Sequence, residues 1–166
     1  MSLRPSLLIH RVTEITLAWL KKESIKGLLL DVDNTLTPYH SEEIPEDILS
    51  WLEMLKNEGI PFIPYSNAKP YRIGNFCKRF GLPNPGMAIK PLNLRLTRTI
   101  RLIGIPKKNL LVVGDQVFTD GLAGKFGGLK VVLVDPVSTV EFPATKIMRK
   151  IEHLVGRHKW KYDKIF

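Results

Sequence analysis

Residues 26–39 read KGLLLDVDNTLTPY, with Lys26 first and Tyr39 last. Leu28, Leu29 and Leu30 form a short unbroken apolar run. Such a run suits a strand covered on both faces, as in a parallel sheet. It stops at Asp31, and Asp33 follows two residues on. A carboxylate pair just past a buried strand lies where open α/β sheets bind ligands, outside the carboxyl ends of the strands. Two carboxylates so close repel each other unless a cation or a shared proton intervenes. A hard, oxygen-seeking cation such as Mg²⁺ is the simplest reason to keep both.

The rest of the chain alternates in the way this reading requires. The spacing of Val12, Ile15, Leu17, Trp19 and Leu20 predicts an N-terminal helix over 8–24. Pro45 opens a helix with Ile48, Trp51, Leu52 and Leu55 on one face. A strand over 60–65 and a helix bearing Ile73, Phe76, Cys77 and Phe80 follow. A very short strand is predicted over 87–89. A helix then starts at Pro91, with Leu92, Leu96, Ile100 and Ile103 inward. Apolar runs over 109–113 and 129–134 read as the last two strands, separated by a short helix. A basic helix over 143–157 carries Ile147, Ile151, Leu154 and Val155 and leads into a basic, aromatic tail ending at residue 166, expected to be loosely ordered. The expected architecture is α/β, a Rossmann-like three-layer sandwich around a five-stranded parallel sheet. One domain is expected over 1–166, with its catalytic core over 26–136 and no internal repeat.

Totals narrow the class. No apolar run approaches the roughly 20 residues of a membrane span. Arg4, Arg11 and Glu14 interrupt the N-terminal apolar stretches, so a secretion signal is not expected. Cys77 is the single cysteine, which rules out an internal disulfide and a thiolate metal cluster and fits a cytoplasmic protein. The net charge of +9 favours anionic partners: phosphorylated substrates, acidic lipid or nucleic acid. Trp19 beside Lys21 and Lys22, with the basic C-terminal segment, raises peripheral contact at an inner membrane face. The alternative for Trp19 is packing on the sheet.

Four strand ends carry polar residues in order: Asp31 and Asp33, then Ser66 and Asn67, then Lys90, then Asp115 with Asp120. Each has a dull explanation alone, as turn, cap or solvated charge. Together they fit phosphoryl transfer, which needs an in-line nucleophile and positive charge around the phosphoryl oxygens. Asp31 can attack phosphorus to form an aspartyl-phosphate. Asp33 can protonate the leaving oxygen and later deprotonate water. Mg²⁺ would screen Asp31 from the anionic phosphate, with Asp115 a further ligand. Lys90 can neutralise one phosphoryl oxygen. The Ser66 hydroxyl and the Asn67 N–H, at an expected helix start, can hold another. Asp135 also follows a strand, but Asp135-Pro136 reads as a breaker.

Asp31-Val32-Asp33-Asn34-Thr35-Leu36 matches the DxDxT signature of the haloacid dehalogenase (HAD) superfamily, and the four motifs in order resemble that superfamily over residues 26–136. The resemblance implies that Asp31 is nucleophile and metal ligand, that Asp33 is acid/base and ligates through its carbonyl, and that Thr35 belongs to the signature. It makes Ser66 the phosphate-binding hydroxyl, Lys90 the motif lysine and Asp115 the acidic ligand. Asp120 matches the second acid of a GDxxxxD variant, which orients Lys90 or a metal-bound water. DVDNTLTPY at 31–39, YSNA at 65–68, AIKP at 88–91 and GDQVFTDGLAG at 114–124 resemble the YqeG branch of HAD subfamily IIIA, related to the mitochondrial phosphatidylglycerophosphatases. That likeness implies a Mg²⁺-dependent phosphatase with phosphatidylglycerophosphate as the leading substrate.

Only about eleven residues separate Asp33 from Pro45, too few for the inserted cap that closes many HAD sites. An uncapped site suits a head group at a membrane, a phosphoprotein or a nucleic-acid end, unless a second subunit of a homo-oligomer supplies the lid. Tyr39, His40 and Lys69 lie near enough in sequence to touch substrate. Three alternatives stay open: a phosphatase of soluble nucleotides or sugar phosphates, a non-catalytic module binding RNA, ribosomes or membrane, and a phospho-accepting signalling domain.

Overall fold

The computed structural model describes residues 2–140 and 143–165. Five strands form one parallel sheet: β1 (Leu7–Leu8), β2 (Gly27–Leu30), β3 (Phe62–Pro64), β4 (Leu110–Gly114) and β5 (Lys130–Leu133). Their order is β1-β5-β4-β2-β3. The helices are α1 (Leu17–Lys22), α2 (Glu46–Asn57), α3 (Pro70–Phe80), α4 (Leu96–Ile103), α5 (Leu122–Gly127) and α6 (Pro143–Leu154).

Strand pleating splits the core into two layers. Leu28, Leu30, Leu111 and Val113 face a cluster that takes in Leu20 of α1, Leu52 of α2 and Phe76 of α3. Leu29, Val112, Val131 and Leu133 face the opposite cluster, with Leu96 of α4 and Ala123 of α5. Both faces of the sheet are thus covered, which is why the central strands are apolar at every position. The α/β three-layer arrangement agrees with expectation. Trp19 packs against the first cluster, with its helix on the sheet.

Four local expectations are corrected. The N-terminal helix over 8–24 is instead strand β1, a single 3₁₀ turn (Val12–Glu14) and the short α1. Arg11 and Thr16 both sit in extended backbone and divide it, and the Thr16 side chain caps α1 by accepting from the Trp19 N–H. Residues 87–89 make no strand. The Ala88 N–H bonds the Ser66 carbonyl at 2.8 Å, and Ile89 then turns left-handed at φ 58°. β1 takes the fifth place in the sheet, pairing in parallel with β5. The helix expected from Pro91 begins only at Leu96, because Asn93 is also left-handed (φ 56°), and Leu92 points to solvent. The basic helix over 143–157 ends at Leu154, and Gly156 (φ 92°) redirects the chain into a 3₁₀ turn at Arg157–Lys159.

Over its described part the tail is docked. Leu8 and Asp163 exchange two hydrogen bonds, through the Asp163 N–H at 2.7 Å and the Leu8 N–H at 2.9 Å. Tyr162 stacks on His10 and donates to Asp135. No helix among the described residues is long and apolar enough to cross a membrane.

Candidate active site

β2 has β3 on one side and β4 on the other, with Leu30 in register with Pro64 and Val113. The strand order reverses there, and the crevice that opens at such a point receives ligands in doubly wound sheets. Asp31 leaves β2, Tyr65 and Ser66 leave β3, and Asp115 leaves β4. The Asp31 N–H still bonds the Val113 carbonyl at 2.9 Å, so the last ladder bond aims this side chain.

Asp31 is nearly buried, and its two carboxylate oxygens have different neighbours. Oδ1 accepts from the Lys90 ammonium at 2.9 Å. Oδ2 lies 3.3 Å from the Thr35 hydroxyl, which is also 3.4 Å from Oδ1 of the fully buried Asp115. A hydroxyl has one proton and cannot serve both carboxylates at once. Asp31, Asp115 and Asp120 each bring an oxygen within 4.8 Å of the others. Burial pushes Asp115 well above the usual carboxylate range, against the pull of Arg149. A hard cation between Asp31 and Asp115 would relieve that deficit with oxygen ligands, so the donor set fits a divalent metal.

Lys90 is buried and spans Asp31 and Asp120. Burial works against its charge, but Asp120 and Asp31 outweigh that and hold its pKa above the ordinary value. Asp120 is presented by one π-helical turn, Val117–Gly121, a geometry that recurs at functional sites. Its second oxygen accepts from the Asp115 and Gln116 N–H groups at 3.2 and 3.1 Å. Gly114 makes room for it: a Cβ there would lie 2.0 Å from the Asp120 carboxyl carbon. Asp120 is therefore an ion-pair partner of Lys90 within the site.

Asn67 is not at a helix start, because α3 begins at Pro70. Its amide instead clasps the Lys90 backbone, accepting from the N–H at 2.7 Å and donating to the carbonyl at 2.9 Å. The Ser66 hydroxyl accepts from the Ala68 N–H at 3.1 Å and lines the cleft. Tyr39, His40 and Lys69 line the same cleft, of about 480 Å³. Asp135 faces away, toward His10.

Four residues at the site were missing from the sequence reading. Arg72 of α3 is buried, pairs with the Asp33 carboxylate and donates to the Ser41 carbonyl at 2.6 Å. Burial raises the Asp33 pKa, and Arg72 opposes that rise. Arg149 of α6 pairs with Oδ2 of Asp115, leaving Oδ1 toward the Thr35 hydroxyl. Arg157 reaches the Asp115 carbonyl at 2.7 Å, and buried Glu152 ties both arginines together while accepting from the Val117 N–H at 2.6 Å. The one detectable signal was Glu152, the lone acid in a basic helix.

Comparison with known proteins agrees. A family model described as mitochondrial PGP phosphatase matches residues 2–69, and a HAD-hydrolase-like model matches residues 81–139. The chain is 30% identical over 151 residues to a protein described as probable phosphatase YqeG from Bacillus subtilis strain 168, covering 91% of this chain and 88% of that one. The fold resembles a 4-nitrophenylphosphatase from Thermotoga maritima (TM-score 0.54, 16% identity, 87% of this chain and 94% of that one). It also resembles an uncharacterized protein from Listeria monocytogenes serotype 4b (TM-score 0.52, 15% identity, 80% and 99%). At these identities the structural likeness bears on fold alone, whereas the sequence match carries kinship: the chain belongs to the YqeG family of HAD-type phosphatases.

Proposed function

We propose that the chain, acting as one catalytic domain, hydrolyses a phosphomonoester through an aspartyl-phosphate on Asp31 and depends on Mg²⁺. The observation that carries this reading is the Asp31 carboxylate held at a cleft floor between Lys90 and the Thr35–Asp115 pair. Asp31 and Asp115, with the Asp33 backbone carbonyl, would hold the cation, which supplies charge neutralisation at the phosphoryl oxygens.

An Asp31 oxygen attacks phosphorus and forms an O–P bond as the bond to the leaving oxygen breaks. Asp33, kept half-buried with its pKa raised, gives that oxygen its proton. Lys90 and Ser66 balance charge on the transferring group. Asp33 then takes a proton from water, which attacks phosphorus. The bond between the Asp31 oxygen and phosphorus breaks, releasing phosphate and restoring the Asp31 carboxylate and the protonated Asp33.

Phosphatidylglycerophosphate is the substrate this reading favours. The match to the mitochondrial PGP phosphatase model and the lack of an inserted cap support it. The test is phosphate release from that lipid in detergent micelles beside soluble nucleotide and sugar phosphates. Release confined to the soluble esters would keep the chemistry and overturn the lipid assignment.

A further inference from the structure

α6 is amphipathic in the inverted sense. Its polar side faces the protein, where Arg149 pairs with Asp115 and Glu152 is buried beneath the two arginines. Its apolar side faces out. Ile147, Ile151 and Leu154 recur at i, i+4 and i+7, one stripe of the helix, with Val155 just past its end, and the four are 61%, 40%, 83% and 42% exposed. Exposed apolar patches rimmed by charge mark interaction surfaces. Lys146, Lys150 and His153 flank this stripe on one side, and the only carboxylate within the helix is the buried Glu152. Thr145 and Met148, on the neighbouring arc of the same helix, line the cleft above Asp31.

We infer that α6 is a membrane-docking helix, its Ile147–Ile151–Leu154 stripe bedded in an anionic bilayer with Lys146 and Lys150 at the head groups. A cationic rim beside an exposed apolar stripe is the signature of a helix lying in the interface plane. Nucleic acid would satisfy the lysines but offers nothing to the isoleucines. A second copy of this chain, related by a two-fold axis, would set two basic rims together within a protein of net charge +9, a like-charge arrangement that disfavours pairing. Docked on α6, the protein would present the cleft mouth beside the lipid head groups. This goes beyond the phosphatase assignment, since docking belongs to the α6 surface and is read without turnover.

The experiment is co-sedimentation of the full chain with vesicles of phosphatidylglycerol and phosphatidylcholine, and with vesicles of phosphatidylcholine alone. Wild type should pellet with the anionic vesicles and stay in solution with the neutral ones. Ile151→Glu/Leu154→Glu should weaken binding on the order of tenfold or more. Lys146→Gln/Lys150→Gln should weaken it less and flatten its salt dependence. The altered side chains are exposed, and circular dichroism melting checks that both variants fold. Absence of wild-type binding to anionic vesicles overturns the proposal, as does equal binding by the glutamate variant. A wild-type dimer that the glutamate variant dissociates would assign the face to a second copy and also overturn it.

Discussion

α2 and α6 are both twelve-residue amphipathic helices, yet they attach to the protein by opposite means. α2 buries Ile48, Trp51, Leu52 and Leu55 against the sheet and keeps Glu53 and Lys56 in water. α6 buries one residue, Glu152, and leaves its isoleucines outside. Burial of apolar surface holds α2, at about 1.5–3 kcal/mol for each large side chain. α6 is held by charge: Arg149, Glu152 and Arg157 knit it to Asp115 at the floor of the site. The difference teaches that apolar periodicity says a helix has a face and leaves open which way that face points. Damage to α2 should therefore register as lost stability, and damage to α6 as altered metal response and surface behaviour.

The largest effect is expected in α2. Leu52→Ala removes a fully buried side chain and should cost about 2–5 kcal/mol, read from the urea midpoint. A cost below about 0.5 kcal/mol would erase the contrast between the helices. Arg149→Met in α6 should cost about 1–3 kcal/mol, because it strips the guanidinium from a carboxylate with no exposure of its own. Added Mg²⁺ should restore more thermal stability to this variant than to wild type, since a cation at Asp115 replaces the lost positive charge. Equal Mg²⁺ shifts in the two proteins would remove Asp115 from the ligand set. The smallest effect belongs to the outer face of α6. Ile151→Ser should change stability by less than about 0.5 kcal/mol. A loss comparable to Leu52→Ala would mean that this face is covered in solution.

The same contrast explains what was legible in the amino-acid sequence. The central strands stand out because residues such as Leu28–Leu30 and Leu110–Val113 are apolar at every position, as strands buried on both faces must be. Asp31, Ser66 and Asp115 were readable as candidates because each lies within two residues of the end of a central strand. β1 was hidden because it has two residues and no periodicity, and its place beside β5 depends on a pairing across the whole chain. The segment 87–96 misled because Ile89 and Asn93 adopt left-handed backbone, which a β-branched isoleucine rarely does and which asparagine favours only as a tendency. Arg72 and Arg149 lie 39 and 34 residues from the carboxylates they pair with, on helices whose surface arginines are ordinarily solvated. Only the fold brings those charges in, and for that reason Asp33 and Asp115 were legible as candidates while their arginine partners were not.

The central claim is that Asp31, with a divalent cation, attacks phosphorus. The most direct measurement is phosphate release from a generic aryl phosphate by wild type and Asp31→Asn, each with Mg²⁺ and with chelator. The account predicts that wild-type activity disappears with chelator and returns with Mg²⁺, while Asp31→Asn falls on the order of a thousandfold or more in every condition. An Asp31→Asn protein that still turns over, or a wild type indifferent to chelator, would contradict it.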